Sequence, residues 1–277
     1  MNALEIRGLK KHYDGFSLDI GELILPAGCV LGLVGENGAG KSTTIRLILE
    51  MIRSDGGTVT VLGEEGGSRQ KEDIGVVLDE PGLPPVTGRQ LGKIMARVFK
   101  NWDQGAFDGI LKRLDIPADK SFDKLSRGNR MKLGIAVAMS HRAKLLILDE
   151  ATNGLDPVVR EEVNEMLNDF TREEDHSVLI SSHIVSDLEK ICDYIAFLHR
   201  GRILLCEEKD VLTTEYGLLR CPAERLEELE TGAVLTRRIT SYGAEAIVRR
   251  DSVPAGTTLS PVGIEDIFVG MVKGERE

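Results

Sequence analysis

Cysteine is scarce in this chain, and its four cysteines lie far apart. Cys29, Cys192, Cys206 and Cys221 form no C-x-x-C pair, which argues against a zinc site or a dithiol redox centre. Cys29 and Cys206 fall within apolar runs, so we predict that both are buried thiols. Cysteine usage of this kind is consistent with a reducing compartment.

Long apolar segments are absent as well. No stretch approaches the roughly 20 apolar residues that a membrane-spanning helix requires. Residues 1–16 mix polar and charged side chains, so we expect no secretory signal there. If the protein works at a membrane, we expect another chain to supply the membrane-spanning part.

Positive charge is in deficit, with 35 Lys and Arg against 45 Asp and Glu and a formal net charge of −10. A chain this acidic offers no broad surface for neutralising phosphates, so we expect no nucleic acid as main partner. Its 277 residues, 42% of them hydrophobic, suffice for one large domain with a core, or for one domain plus an appendage.

A glycine-rich segment at residues 35–43 matches the phosphate-binding pattern G-x-x-x-x-G-K-[ST]. The apolar run Cys29–Val34 before it predicts a buried strand, and Thr44–Glu50 after it predicts a helix. Strand, loop and helix are the context that the motif requires, which favours nucleotide binding over a chance glycine-rich turn.

The chemistry of this loop follows from its residue types. Glycines let successive backbone N–H groups converge on phosphate oxygens, and the helix N-terminus adds partial positive charge. We predict that Lys41 reaches the β- and γ-phosphates of the nucleotide and that the Ser42 hydroxyl ligates Mg²⁺. The predicted nucleotide-binding residues of the loop are Gly35, Asn37, Gly38, Ala39, Gly40, Lys41, Ser42 and Thr43.

Two carboxylates follow the apolar run Leu145–Leu148. In open α/β sheets the carboxyl ends of strands face the ligand crevice. Asp149 is therefore predicted to hold Mg²⁺, directly or through water, and Glu150 to orient or deprotonate the attacking water. Strands that end in solvated acids are common, and the interpretation depends on the phosphate-binding loop elsewhere in the chain.

Strands and helices alternate along most of the chain, which predicts an α/β fold with a mostly parallel sheet. Residues 87–139 carry helical patterns, and residues 210–277 are predicted to form a small mixed region without recognisable chemistry. The other predicted elements are strands at 3–9, 16–25, Thr58–Leu62, Ile74–Leu78 and Val178–Ile180, a helix at Val158–Phe170, and a hairpin of Ile195–Leu198 with Ile203–Leu205.

Leu125-Ser-Arg-Gly-Asn129 precedes another helical pattern. Ser126 and Gly128 offer a hydroxyl and a backbone N–H at a helix N-terminus, which suits an anion, although Ser126 could be an ordinary N-cap. The segment resembles the L-S-G-G-Q signature of ATP-binding-cassette (ABC) ATPases. It belongs to an ordered series of motifs that resembles this family from Leu4 to Arg202.

The resemblance implies a P-loop NTPase fold, namely an ABC nucleotide-binding domain with a RecA-like core. It implies an ATPase domain at 1–209, a helical subdomain at about 84–140 and a small mixed C-terminal extension at 210–277. It also implies that Ser126 and Gly128 bind the γ-phosphate of an ATP held by another protomer.

Three further elements are similar to family motifs. Tyr13 matches the aromatic residue that stacks on adenine, although a surface tyrosine in a turn is a competing interpretation. Asn153-Gly-Leu-Asp156-Pro157 matches the D-loop, with Asp156 at the dimer seam, and His183 matches the switch histidine that contacts the γ-phosphate. With Lys41 and Glu150, His183 completes the implied catalytic set.

The chain departs from the family pattern at three places. Asp79 stands where glutamine usually contacts Mg²⁺ and senses the membrane partner. A carboxylate can ligate Mg²⁺, but it cannot donate a hydrogen bond when ionised, so the departure concerns coupling rather than ATP binding. Arg127 and Asn129 replace signature residues, and Ala151 replaces a common proline.

The resemblance implies the ATPase subunit of an ABC transporter. Two copies, identical or different, would enclose two ATP molecules and act on a separate transmembrane permease at the cytoplasmic face of the cell membrane. Asp79–Gly88 and Ile264–Phe268 look like segments of exporters of peptides, antibiotics or lipids. One alternative is a soluble ABC ATPase of an assembly or regulatory complex. The other is a P-loop kinase or GTPase, which would need neither Leu125–Asn129 nor Asn153–Asp156.

Overall fold

The computed structural model describes residues 1–65, 71–226, 229, 232–240, 243–254 and 256–274. These residues form two compact units, Met1–Ile203 and Leu204–Glu277, and the ATPase domain boundary at residue 209 stays a prediction. In chain order the elements are β1 (Asn2–Tyr13), β2 (Phe16–Pro26), β3 (Val30–Val34), α1 (Lys41–Ile48), β4 (Gly56–Val61), β5 (Glu64–Glu65), β6 (Ile74–Val77), α2 (Gly88–Val98), α3 (Gln104–Arg113), α4 (Arg127–Met139), β7 (Leu145–Asp149), α5 (Pro157–Phe170), β8 (Ser177–Ser182), α6 (Val185–Glu189), β9 (Tyr194–His199), β10 (Arg202–Glu208), α7 (Lys209–Thr214), β11 (Tyr216–Cys221), β12 (Val234–Thr240), β13 (Gly243–Arg249) and α8 (Ile264–Lys273).

A six-stranded sheet has the order β10-β9-β3-β8-β7-β6, and its strands β9, β3, β8, β7 and β6 lie in the first unit, while β10 crosses the division after Ile203. Strand β3 runs parallel to β8 and β9, and β7 runs parallel to β6 and β8. Every residue of β3, β7 and β8 is buried, as expected for parallel strands covered on both faces. This confirms the predicted α/β fold, and it brings the carboxyl ends of β3, β7 and β8 to one edge.

A second sheet contains β2, β1, β4 and β5 in that order, and its paired strands are antiparallel. Strand β1 continues to Tyr13, four residues beyond the predicted strand at 3–9, because it pairs with β2 along its whole length. Tyr13 faces Phe16 across the turn that joins the two strands. A β-carbon on Gly40 would lie 3.0 Å from the Phe16 ring, so this turn brings Phe16 to the phosphate-binding loop.

Helices α2, α3 and α4 lie within the predicted helical segment. Thr87 begins α2 with a capping box, and the Asp103 side chain accepts a hydrogen bond from Ala106 N at the start of α3. Ser126 caps α4, its hydroxyl accepting from Asn129 N at 3.3 Å. Helix α4 packs against both α3 and β6, so the signature segment begins a helix that is anchored on the central sheet.

The second unit contains a three-stranded antiparallel sheet in the order β11-β13-β12 and helix α8. The Thr236 hydroxyl on β12 donates to the Gly270 carbonyl of α8 at 2.7 Å. The predicted apolar face of α8 is confirmed, because its members are all buried: Ile264, Ile267, Phe268 and Met271.

The predicted burial of Cys29 and Cys206 is wrong, because both are only half-buried and Cys192 is the buried cysteine. Cys29 lies just before β3 and Cys206 lies on the edge strand β10, where cover is incomplete. Burial still raises the pKa of the Cys206 thiol to about 11. None of the helices in the described part of the chain is long and apolar enough to cross a membrane.

Candidate functional site

The phosphate-binding loop joins β3 to α1 and needs glycine for two different reasons. Gly40 has φ +115°, a backbone conformation that residues with a side chain rarely adopt. At Gly35 a β-carbon would lie 2.5 Å from the carbonyl oxygen of Leu198, which is far too close. Substituting either glycine would therefore move the backbone N–H groups of the loop.

Lys41 is the most constrained cation of the loop. Its Nζ donates to the carbonyl oxygens of Gly35 at 2.6 Å and Glu36 at 3.3 Å. The same Nζ lies 3.1 Å from Glu150 Oε1, and the two side chains are only 6% and 11% exposed. Burial strengthens this ion pair, which fixes a positive charge next to the loop.

Glu150 is held in an unusual backbone conformation, with φ +52°. Left-handed conformations of residues other than glycine persist where the surrounding structure enforces them, and they cluster at functional sites. Here the Glu150 N–H donates to the Ser181 carbonyl at 3.2 Å and to its hydroxyl at 3.1 Å. The carboxylate lies between Lys41 and His183, with Oε2 at 2.8 Å from His183 Nδ1.

Asp149 lies behind this arrangement. It is buried, and its Oδ1 accepts from the Ser181 hydroxyl at 2.6 Å. Ser181 therefore connects the two acidic residues, since it also binds the Glu150 backbone. This serine follows the apolar run Val178–Ile180, but no pattern in the sequence indicated that it positions the two acidic residues.

A cleft at the carboxyl edge of the central sheet unites most of the predicted site. Gly35 and Ala39 belong to the same loop, while Asp149 lies beneath the surface. Three other lining residues were not predicted as site residues: Glu36 and Asn153 lie within the predicted motifs, and Phe16 lies three residues after Tyr13. The predicted residues that line the cleft are Asn37, Gly38, Gly40, Lys41, Ser42, Thr43, Asp79, Glu150 and His183.

The remaining predicted site residues lie outside this cleft. Tyr13 is 47% exposed, and Lys11 Nζ lies 5.6 Å from the centre of its ring. Ser126 and Gly128 begin α4, and Asp156 caps α5 by accepting from two backbone N–H groups. A β-carbon on Gly128 would lie 3.6 Å from the Gly154 carbonyl, so the signature and D-loop segments of one chain are neighbours.

Two of the family departures contact each other. An Arg127 guanidinium nitrogen lies 2.6 Å from Asp79 Oδ1. Asp79 lines the cleft after β6, whereas Arg127 is the first residue of α4. The contact was not predictable from the sequence, because the residues are 48 positions apart and belong to different motifs.

Arg160 on α5 connects two other segments of the site. It donates to Asp187 Oδ1 on α6 at 2.8 Å and to the Leu155 carbonyl at 3.3 Å. Leu155 belongs to the segment Asn153–Pro157, and α6 begins two residues after His183. Arg160 therefore joins the D-loop segment to the segment that carries His183.

We expect Arg160→Ala to lower ATP turnover several-fold and the free energy of unfolding by about 1–3 kcal/mol, because Asp187 loses its charged partner in a poorly solvated position. Urea unfolding and phosphate release measure the two effects. Arg172→Ala is the matched control, since Arg172 forms an exposed ion pair with Asp169 at 3.1 Å. Equal behaviour of the two variants would contradict the role of Arg160.

Comparison with known proteins gives the family. A family model described as "ABC transporter" matches residues 18–153. The lantibiotic transport ATP-binding protein SrtF of Streptococcus pyogenes is 32% identical, with 84% of this chain and 97% of SrtF aligned. The chain belongs to the ABC transporter family. This confirms the resemblance seen in the sequence and argues against the kinase or GTPase alternative.

Two further relatives agree with this family. The ABC transporter ATP-binding protein YtrB of Bacillus subtilis is 29% identical, with 99% of each chain aligned. The solved structure of cbiO1 from Clostridium perfringens, described as part of the ABC transporter complex cbiONQ, has a TM-score of 0.63 and 25% identity, over 76% of this chain and 90% of that one. This ABC protein binds ATP and hydrolyses it as the ATPase subunit of a transporter.

Proposed function

We propose that this ABC ATPase hydrolyses ATP through Lys41, Glu150 and His183, and that it powers export through a separate transmembrane permease at the cytoplasmic face of the membrane. The contact of Glu150 with Lys41 at 3.1 Å and with His183 at 2.8 Å is the observation that carries the proposal. It joins a phosphate-binding cation, a proton acceptor and a candidate γ-phosphate contact in one cleft.

The roles follow from the atoms available. When phosphate oxygens enter the loop, the Lys41 ammonium leaves Glu150 Oε1 and binds the phosphate oxygens instead. Glu150 Oε1 is then available as a proton acceptor. A water molecule oriented by Glu150 then gives a proton to the carboxylate as its oxygen attacks the γ-phosphorus. The bond between the γ-phosphorus and the β–γ bridging oxygen breaks, so ADP leaves and inorganic phosphate forms. His183 holds the Glu150 side chain in place through a contact with the other carboxylate oxygen, Glu150 Oε2.

The cleft also fits Mg²⁺. Ser42, Asp79 and Glu150 present oxygen atoms, the ligands that this cation prefers. We assign Ser42 and Asp79 as direct ligands and Asp149 as a ligand through water, since Asp149 lies beneath the cleft on Ser181. When bound, Mg²⁺ neutralises charge on the phosphates. The described residues contain no group of three or more His, Cys, Asp or Glu that could hold a metal, so phosphate and water would complete the coordination.

A dimer completes the proposed site. Ser126, Gly128 and Asp156 lie outside the cleft that their own chain forms, at the starts of α4 and α5. Helix N-termini bind anions, so Ser126 and Gly128 would contact the γ-phosphate held by a second ATPase subunit. Tyr13 is assigned to adenine, for which its exposed ring is accessible.

Mixing two inactive variants tests this dimer. Lys41→Ala removes the phosphate-binding cation, and Gly128→Arg blocks the signature surface. Among the described residues outside its own helix, the nearest atom to a new β-carbon at Gly128 is the Gly154 carbonyl oxygen at 3.6 Å. A mixed dimer contains one intact site, so we expect ATPase activity to return on mixing. A mixture that stays inactive, although both variants are folded and Gly128→Arg binds ATP, would contradict sites shared between chains.

Export is supported by SrtF, which is named a lantibiotic transport protein, and by the exporter-like segments Asp79–Gly88 and Ile264–Phe268. The cargo class proposed is a peptide, an antibiotic or a lipid-like molecule. Purification from detergent-solubilised membranes tests the permease partner. A polytopic partner supports export, whereas recovery only with water-soluble proteins favours the assembly or regulatory ATPase.

A further inference from the structure

Two unusual residues of this chain compensate each other. Asp79 replaces an uncharged glutamine at the cleft, and Arg127 replaces a small residue of the signature, so each alone would add an unbalanced charge. In the folded chain the two charges neutralise each other across 2.6 Å. The contact joins the loop after β6 to the N-terminus of α4.

The ion pair with Arg127 uses the same Asp79 carboxylate that Mg²⁺ would need as a ligand. A carboxylate binds a guanidinium and a cation through the same oxygen lone pairs, and neutralising its charge weakens it as a metal ligand. Asp79 lines the cleft together with Ser42 and Lys41. Arg127 therefore contacts the residue that Mg²⁺ would have to reach, Asp79.

The pair is suited to exchange. The Arg127 and Asp79 side chains are 59% and 47% exposed, and ion pairs with such exposure are held together weakly. By contrast, the Lys41–Glu150 pair in the same cleft is buried. When Arg127 and Asp79 separate, neither charge is left buried without a partner, because water reaches both side chains.

We propose that Arg127 and Mg²⁺ compete for the Asp79 carboxylate, so that arrival of Mg²⁺ with ATP releases the signature segment from its own cleft. The inference rests on the proposed metal ligation by Asp79. Arg127 acts as a positioning residue: without nucleotide it holds the start of α4 at the cleft, and with Mg²⁺ and ATP bound it is detached. The release leaves Ser126 and Gly128 free to meet a second subunit.

The Mg²⁺ dependence of ATP binding tests the competition. ATP binding is measured by calorimetry over a magnesium chloride series, in chains that carry Glu150→Gln to prevent hydrolysis. Arg127→Ala is expected to lower the Mg²⁺ concentration at half-maximal binding about two- to fivefold, the range that a weak exposed ion pair gives. Arg127→Lys keeps the charge and should remain near the parent.

Two controls isolate the pair. Arg89→Ala removes a similarly exposed ion pair, with Asp119 at 2.7 Å, and should not change the Mg²⁺ dependence. Asp79→Asn should raise the required Mg²⁺ concentration and abolish the effect of adding Arg127→Ala. Hydrogen exchange at the amides of residues 126–130, without nucleotide, should increase in Arg127→Ala and not in Arg89→Ala.

The outcomes separate this inference from the proposed function. An unchanged Mg²⁺ dependence or unchanged exchange in Arg127→Ala, in a chain that still binds ATP with Mg²⁺, overturns the competition and leaves the ATPase assignment intact. If the parent chain bound ATP equally well without Mg²⁺, the metal assignment itself would be wrong.

Discussion

Glu150→Gln is expected to lower ATP turnover by about 10²- to 10⁴-fold, the usual contribution of a positioned general base. Glutamine keeps the size of the side chain, but its amide cannot take a proton from water at neutral pH. ATP binding should persist, because the phosphate-binding loop and Lys41 are unchanged. Phosphate release at saturating ATP and Mg²⁺ measures turnover, and calorimetry measures binding.

The matched control is Glu36→Gln, which neutralises another carboxylate in the same cleft. The Glu36 side chain is largely exposed and lies 3.3 Å from His199, whereas the contact of Glu36 with Lys41 is made by its backbone carbonyl, which the substitution keeps. We expect the ATP turnover of Glu36→Gln to stay within a few-fold of that of the parent chain. Dimers stabilised by ATP in Glu150→Gln would support the shared site, whereas unchanged turnover would remove Glu150 from the role of base.

Lys41→Ala should weaken ATP binding by about 10²-fold, because charged hydrogen bonds to phosphate oxygens are lost. The same change leaves the Glu150 carboxylate, which is 11% exposed, without its cation. We therefore expect the free energy of unfolding to fall by about 1–3 kcal/mol. Calorimetry with ATP and urea unfolding measure the two effects.

A double variant separates the two roles of Lys41. Lys41→Ala with Glu150→Gln removes both charges, so stability should recover while ATP binding remains weak. Lys144→Ala is the control for losing a lysine ion pair, since Lys144 binds Asp175 at 2.9 Å on the surface and should change stability by less than about 1 kcal/mol. Normal ATP affinity in Lys41→Ala would contradict its assignment to the phosphates.

Much of the site was predictable because it consists of short motifs at the ends of strands. Residues 35–43 were predicted as a phosphate-binding loop, and the structure forms that loop between β3 and α1. Asp149 and Glu150 were predicted at a strand end, and the structure has Asp149 as the last residue of β7 and Glu150 directly after it. Their roles stay predictions, but their placement on one edge follows from the parallel order of buried strands.

The sequence by itself determined the elements and the motifs, because apolar periodicity, caps and glycine-rich turns act over a few neighbouring residues. Only the tertiary structure decided which motif residues meet. It paired Lys41 with Glu150, Arg127 with Asp79 and Arg160 with Asp187, and it left Cys29 and Cys206 half-buried. Such contacts join distant segments, and their geometry depends on how strands and helices pack, which no local pattern specifies.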